Sequence, residues 1–199
     1  MKVKNWMKSD PVTISRDALL QDATELMKKY SIRHLPVIEE DNLVGFITES
    51  DLRHFSFPSQ VEDIPVHQVM VLNPLTINAN ASIESAARLI YDYKIGGLPV
   101  LDRKKLVGIV TASDILAAFI EVMGLFKAST RIDVVVGKKG GLEEVTRIIK
   151  ECGGDIISVA IESHAARRKV HYFRLEKCDA QPVVDALEKA GHKVVSVME

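Results

Sequence analysis

A threonine followed three residues later by an aspartate occurs twice in this chain, in the segments GFITESD and GIVTASD. The pairs are Thr48 with Asp51, and Thr111 with Asp114. A threonine hydroxyl and the N–H groups of a following helix can hold a phosphate, and an aspartate can accept both hydroxyls of a ribose. The same spacing forms a capping box, which stabilises a helix start without any ligand. The spacing alone leaves both interpretations open, and a helix cap and a ligand site can coexist.

Both motifs belong to an internal repeat with an offset of 63 residues. Segment 7–52 aligns with segment 70–115 without a gap, and Pro-x-Thr-Ile, Leu-Pro-Val and Thr-x-x-Asp recur in each copy. A duplicated unit this short rarely buries its apolar face alone. We therefore expect the two copies to pack together and to form a shared cleft.

Each copy has the pattern of strand, helix, strand, strand and helix. Apolar residues three to five positions apart predict amphipathic helices over 18–30 and 81–93, and the last helix begins after each motif threonine. Polar turns join the hairpin strands. The predicted strands are 11–14, 34–38 and 43–48 in the first copy, and 74–77, 98–101 and 106–111 in the second.

The first strand of each copy contributes two further candidate residues, Thr13 with Ile14 and Thr76 with Ile77. The isoleucines can flank the face of a purine. These four residues therefore join the motif residues as a predicted nucleotide-binding set.

The copies differ where a phosphate would bind. Arg33 and His34 precede Leu-Pro-Val in the first copy, whereas Gly96 and Gly97 stand there in the second. Adjacent cationic or donor side chains suit a phosphate group, and glycines offer only backbone N–H groups and space. We expect unequal sites, with Arg33, His34 and Gly97 in the binding set. The alternative is a solvated Arg33 and a half-buried strand His34.

The motifs in register resemble the CBS domain family, and their doubling resembles a CBS pair, or Bateman module. Ile32–Val37 and Ile95–Val100 carry the same resemblance, which covers about residues 1–122. It implies that the aspartates bind ribose, that the threonines lie near the phosphate and that the early strands lie beside adenine. Expected ligands are ATP, ADP, AMP or S-adenosylmethionine. We expect one repeat over 1–62 and the other over 63–126.

Residues 130–199 follow a different pattern, which predicts a ferredoxin-like β-α-β-β-α-β domain. The predicted strands are 131–136, 155–161, 170–175 and 193–198, and the predicted helices are 142–152 and 182–190. The fold class is therefore mixed α/β, with two tandem β-α-β-β-α units followed by this domain.

The order and length of this last domain resemble an ACT domain, a regulatory module that commonly binds amino acids at subunit interfaces. In the loop before its first helix, Gly140 and Leu142 fit the ACT pattern, while the usual acidic residue and proline are absent. Gly140 and Gly141 could present N–H groups to a carboxylate. A plain tight turn is the alternative. A CBS pair followed by an ACT-like domain resembles the acetoin-utilisation B proteins, which implies regulation.

Charge and cysteine content exclude several classes of function. The 26 basic and 27 acidic residues give a net charge of −1, so no field attracts nucleic acid or a membrane surface. Cys152 and Cys178 fit reduced thiols and a cytoplasmic location.

The apolar segment 115–126 is too short to span a bilayer. It could link the modules, form a dimer surface or pack in a core. The linker residues Glu62, Asp63 and His67 do not have the spacing of metal ligands, so no metal site is predicted there.

The sequence thus predicts a non-catalytic regulatory ligand sensor, with an adenine nucleotide or adenosyl compound in the CBS cleft. Homodimerisation through the CBS or ACT-like domains is expected, and the regulated protein is not identified by the sequence. A constitutive dimerisation or scaffold module is the alternative. No phosphate-binding P-loop, nucleophile elbow or HExxH motif points to an enzyme or a catalytic cofactor.

Overall fold

The structure is a computed structural model that describes residues 1–53, 64–137, 141–162 and 169–198. It divides into two compact units, Met1–Leu116 and Ala117–Glu199. No helix among the described residues has the length and apolar character needed to cross a membrane.

The two repeats contain equivalent sets of elements, in which the predicted strand-helix-strand-strand-helix order follows one additional short strand, and the last helix of the second set extends from the first unit into the second. The first set is β1 (Lys8–Ser9), β2 (Ile14–Ser15), α1 (Leu20–Tyr30), β3 (His34–Glu39), β4 (Asn42–Thr48) and α2 (Glu49–Arg53). The second set is β5 (Val71–Leu72), β6 (Ile77–Asn78), α3 (Ile83–Tyr93), β7 (Gly97–Asp102), β8 (Lys105–Thr111) and α4 (Ala112–Met123). A short 3₁₀ turn precedes β1 and β5.

Local sequence explains how these elements end. Helices α1 and α3 end at left-handed residues, Ser31 with φ 52° and Lys94 with φ 53°. The β7–β8 turn places Arg103 and Lys104 at φ 48° and 69°. Two consecutive positive φ angles are typical of the type I′ turn, whose twist matches that of an antiparallel hairpin. The polar turn residues predicted from the sequence therefore fix the hairpin register.

The N-terminal segment of each repeat forms a strand in the sheet of the other repeat. Strand β1 pairs with β8, so one sheet has the order β1-β8-β7-β6, and β5 pairs with β4, so the other has the order β2-β3-β4-β5. Val66 and Met70 pack in the core of the first repeat. The boundary expected between residues 62 and 63 therefore divides the two repeats along the sequence, but each sheet contains strands from both sides of it.

The exchanged segments explain the glycine of each motif. A Cβ placed on Gly108 would lie 2.7 Å from Sδ of Met7 and 2.8 Å from the carbonyl oxygen of Lys8. Sδ of Met70 would lie closer still to a Cβ placed on Gly45. Each glycine therefore leaves room for a methionine from the segment that precedes the other repeat.

The second unit carries a four-stranded antiparallel sheet with the order β10-β11-β9-β12. Its elements are β9 (Ser129–Val135), α5 (Gly141–Glu151), β10 (Ile156–Glu162), β11 (Val170–Glu176), α6 (Gln181–Lys189) and β12 (Lys193–Met198). Both helices pack on the sheet through an apolar core that includes Ile132, Ile149, Phe173, Leu175 and Leu187. The predicted β-α-β-β-α-β order is present.

Candidate functional site

A cleft of about 680 Å³ in the first unit brings the two Thr-x-x-Asp motifs together. The predicted residues that line it are Arg33, His34, Thr48, Asp51, Gly97, Thr111 and Asp114. The motifs reach the same cleft because each lies where a central hairpin strand, β4 or β8, passes into the following helix. The expectation of one shared cleft between the repeats is thus met by the structure.

Both motifs form capping boxes. Oδ2 of Asp51 accepts hydrogen bonds from the N–H of Thr48 at 2.8 Å and from its hydroxyl at 2.7 Å. In the second repeat, Oδ2 of Asp114 accepts the corresponding bonds from Thr111 at 2.7 and 2.6 Å. Within the described ranges, every hydrogen bond to these carboxylates is accepted by Oδ2. The second oxygen of each aspartate therefore remains as an acceptor for a ligand hydroxyl while the helix stays capped.

The remaining predicted residues take other positions. Thr13, Ile14, Thr76 and Ile77 are absent from the lining of this cleft. Ile14 is 5% exposed and Ile77 is 6% exposed, and Ile14 packs in the core of the first repeat. The expected place of these side chains beside a purine is therefore not supported in this cleft: the two isoleucines are buried, and the partly buried Thr13 and Thr76 do not line it.

Some backbone N–H groups expected to face a phosphate are already bound. The N–H of Glu49 donates to the carbonyl of Arg33 at 3.0 Å, and the N–H of Ala112 donates to the carbonyl of Gly96 at 3.1 Å. These bonds tie each helix start to the residue that precedes the neighbouring strand. These two N–H groups are therefore not available to an anion in the cleft.

An aromatic contact holds the His34 side chain in the cleft. Its ring stacks on Phe46 with a centroid distance of 5.8 Å and an interplanar angle of 21°. Burial lowers the pKa of His34, and the positive charge of Arg33 lowers it further, while Asp114 and Asp51 act in the opposite direction. The neutral imidazole is therefore favoured in the unliganded cleft.

The cleft also contains cations that the sequence interpretation missed. Lys8 and Lys94 line it together with Arg33. Among the residues that the structure describes, none of these three side chains forms a salt bridge. The repeat offset places Lys94 opposite Ser31, and this second break in the repeat was the available signal. Lys8 reaches the cleft only through the exchange of β1.

In the second unit, Gly141 and Leu142 lie at the start of α5, and Gly141 has φ +62°. Gly140 lies outside the described residues. No sequence pattern pointed to His192, which is 4% exposed. Its Nδ1 accepts a hydrogen bond from the N–H of Gly137 at 3.0 Å, and its Nε2 lies 3.3 Å from Oε2 of Glu144.

The duplicated sheets and the single cleft that joins their two motifs define a module of two paired repeats. The CBS domain model matches residues 3–57 and 61–121, and the chain belongs to the CBS domain family. A CBS domain-containing protein of Dictyostelium discoideum is 39% identical over 134 residues, which cover 61% of this chain and 92% of that protein.

Solved structures show the same fold for the first part of the chain. CBSX2 in complex with AMP is 28% identical with a TM-score of 0.56, over 61% of this chain and 97% of that one. The CBS domain pair of protein MJ0100, in complex with 5-methylthioadenosine and S-adenosylmethionine, is 29% identical with a TM-score of 0.55, over 60% and 95%. An acetoin utilization protein (AcuB) from Vibrio cholerae is 31% identical with a TM-score of 0.56, over 63% and 95%.

Proposed function

We propose that this protein is a non-catalytic regulatory sensor that binds an adenine nucleotide or adenosyl compound in the cleft of its CBS pair. The observation that carries the proposal is the meeting of both Thr-x-x-Asp motifs with three unpaired cations in a single cleft among the described residues. The relatives crystallised with AMP, 5-methylthioadenosine and S-adenosylmethionine support an adenosyl group as the common part of the ligand.

The cleft residues suit the two poles of a nucleotide. Asp51 and Asp114 each keep one carboxylate oxygen for ribose hydroxyls, which are hydrogen-bond donors. Arg33, Lys8 and Lys94 provide the positive charge that a phosphate requires, and a guanidinium can bind a phosphate through two parallel hydrogen bonds. A sensor must also bind its ligand more tightly in one conformational state than in another, since equal affinity shifts no equilibrium.

Residues 130–199 are proposed to be an ACT-like regulatory domain, with 1–62 and 63–126 as the CBS repeats that precede it. The β-α-β-β-α-β order of its elements supports the proposal. Gly141 and Leu142 at the start of α5 are the candidate amino-acid contacts, together with Gly140. The likeness to AcuB supports a role in regulation, and a cytoplasmic location fits two cysteines that are free in the structure.

A constitutive dimerisation module is the second candidate function. Helix α4 and the residues after it expose a series of large apolar side chains: Leu116, Phe119, Val122, Leu125 and Phe126. Phe126 is 87% exposed. A homodimer could cover these side chains, because contiguous apolar surface is often a protein–protein contact.

Isothermal titration calorimetry with AMP, ADP, ATP and S-adenosylmethionine tests the sensor proposal. Asp51→Asn and Asp114→Asn keep an oxygen for the helix cap and remove the carboxylate charge and the second acceptor. We expect each to weaken binding by about tenfold, the effect of losing one charged hydrogen bond.

Asp22→Asn is the matched control. Asp22 caps α1 by accepting a hydrogen bond from the N–H of Leu19 at 2.9 Å, and it does not line the cleft. Its replacement should leave affinity unchanged. If no adenosine compound binds, the sensor proposal is wrong and the dimerisation module is favoured. Analytical ultracentrifugation without ligand then tests that alternative.

A further inference from the structure

The His34 side chain reaches from one repeat to the other inside the cleft. A Cβ placed on Gly96 would lie 2.5 Å from Nε2 of His34 and 3.1 Å from its Cε1. The imidazole therefore occupies the space directly over the backbone of Gly96. Since Gly96 is the repeat counterpart of Arg33, and Gly97 that of His34, this contact lies where the two halves of the cleft meet.

Packing keeps the imidazole in this place. Its ring stacks on Phe46, which is itself buried in the first repeat. Stacked aromatic rings attract each other beyond the area they bury. An open rotamer of His34 would lose this stacking, so the ring acts as a fixed part of the cleft wall on the side of Gly96.

The two halves of the cleft offer different phosphate-binding groups. Arg33 and His34 lie at the start of β3 in the first half, whereas Gly96 and Gly97 in the second half supply only backbone, and the cations there are Lys8 and Lys94. A guanidinium can bind a phosphate through two parallel hydrogen bonds and an ammonium cannot, so a single phosphate is expected beside Arg33. The volume of about 680 Å³ also falls in the range typical of a site for one small ligand.

We infer that His34 restricts this cleft to one phosphorylated nucleotide per chain, with the phosphate beside Arg33 and the half at Gly96 closed to a second molecule. The inference rests on the proposed function and adds the number and orientation of the ligands. His34 thereby determines stoichiometry, and Arg33 determines the preference for a phosphate over a plain adenosine.

The test is calorimetry and equilibrium dialysis of the full chain with AMP and with adenosine. The unaltered protein should bind about one AMP per chain. His34→Gly gives the first half the glycine that the second half already has at position 97, and it should raise the stoichiometry to two. His34→Ala repeats the test in case the glycine variant unfolds.

Arg33→Gly should keep a single site and weaken AMP about tenfold, with the affinity for adenosine unchanged. Arg103→Gly is the charge-matched control, because Arg103 lies in the β7–β8 turn at φ 48° and does not line the cleft. It should change neither affinity nor stoichiometry.

Two AMP molecules bound by the unaltered protein would overturn the inference and leave the proposed function intact. A single AMP in both folded His34 variants would overturn it as well. An equal loss of AMP and adenosine affinity in Arg33→Gly would place the phosphate elsewhere and overturn the assigned orientation. Absence of binding by any adenosine compound would refute the inference and the proposed function together.

Discussion

The protonation of His34 links the cleft to pH. Burial and Arg33 hold the pKa of His34 below 6.5 in the folded chain, so the unfolded chain binds more protons between that lowered pKa and 6.5. This contribution to stability is present above pH 6.5 and is lost as the pH falls through the lowered pKa. We expect an NMR titration of the His34 Cε1 proton to have its midpoint below 6.5.

Arg33→Gly should raise that midpoint, since it removes the second cause of the shift. Bound AMP should raise it too, because a phosphate favours the imidazolium. His34→Gln assigns the resonance by its disappearance. A midpoint at 6.5 or above in the unliganded protein would show that the ring is more solvated than the structure indicates.

Two glycines should respond differently to alanine. At Gly96 the obstacle to a Cβ is the end of the His34 side chain, which can move only by giving up its stacking on Phe46, so Gly96→Ala should cost about 1 kcal/mol. At Gly137 the obstacle is the carbonyl oxygen of Gly191 at 2.5 Å, which is backbone, and Gly137→Ala should cost about 2 to 3 kcal/mol. Urea unfolding measures both, and equal costs would contradict this distinction.

At the scale of elements, the helix starts should be sensitive to the motif aspartates even without ligand. Asp114→Ala removes the acceptor for the N–H and hydroxyl of Thr111 at the start of α4, and loss of such a cap costs about 1 kcal/mol. Asp114→Asn should cost less because an amide oxygen can still cap. Thermal unfolding of the unliganded variants checks this, and a neutral Asp114→Ala would mean that the cap contributes nothing.

Local patterns predicted most elements but not their exchange. Helix spacing, polar turns and Thr-x-x-Asp are visible within a few residues, and the structure has the corresponding elements. The pairing of β1 with β8 joins residues 8 and 109, and nothing in the short segment Lys8–Ser9 specifies so distant a neighbour. For the same reason Lys8 was missed, whereas the Arg33 and His34 asymmetry was found from the repeat alone.

At the scale of the whole molecule, ligand effects should be confined to the first unit. Hydrogen exchange measured with and without AMP should show added protection around the two motifs and around residues 31–34 and 94–97. The sheet of β9 to β12 should be unchanged, because it contributes no residue to the cleft. Binding at a concentration of 100 times Kd should add about 2.7 kcal/mol to the stability of the unit that binds. If AMP protected the sheet of β9 to β12 as strongly as the sheets of the first unit, the two units would be coupled.

The exchanged segments give the chain an order of assembly. The first repeat buries Val66 and pairs β4 with β5, so its sheet stays incomplete until residues 64–72 have been synthesised. The second repeat needs Val3 and β1, which are synthesised about 100 residues before β8 and must wait for it. Neither repeat should therefore fold when expressed alone. A chain with one repeat could complete its sheet only with a strand from another molecule. In the duplicated chain the missing strand belongs to the same molecule, so the pairing is an intramolecular step.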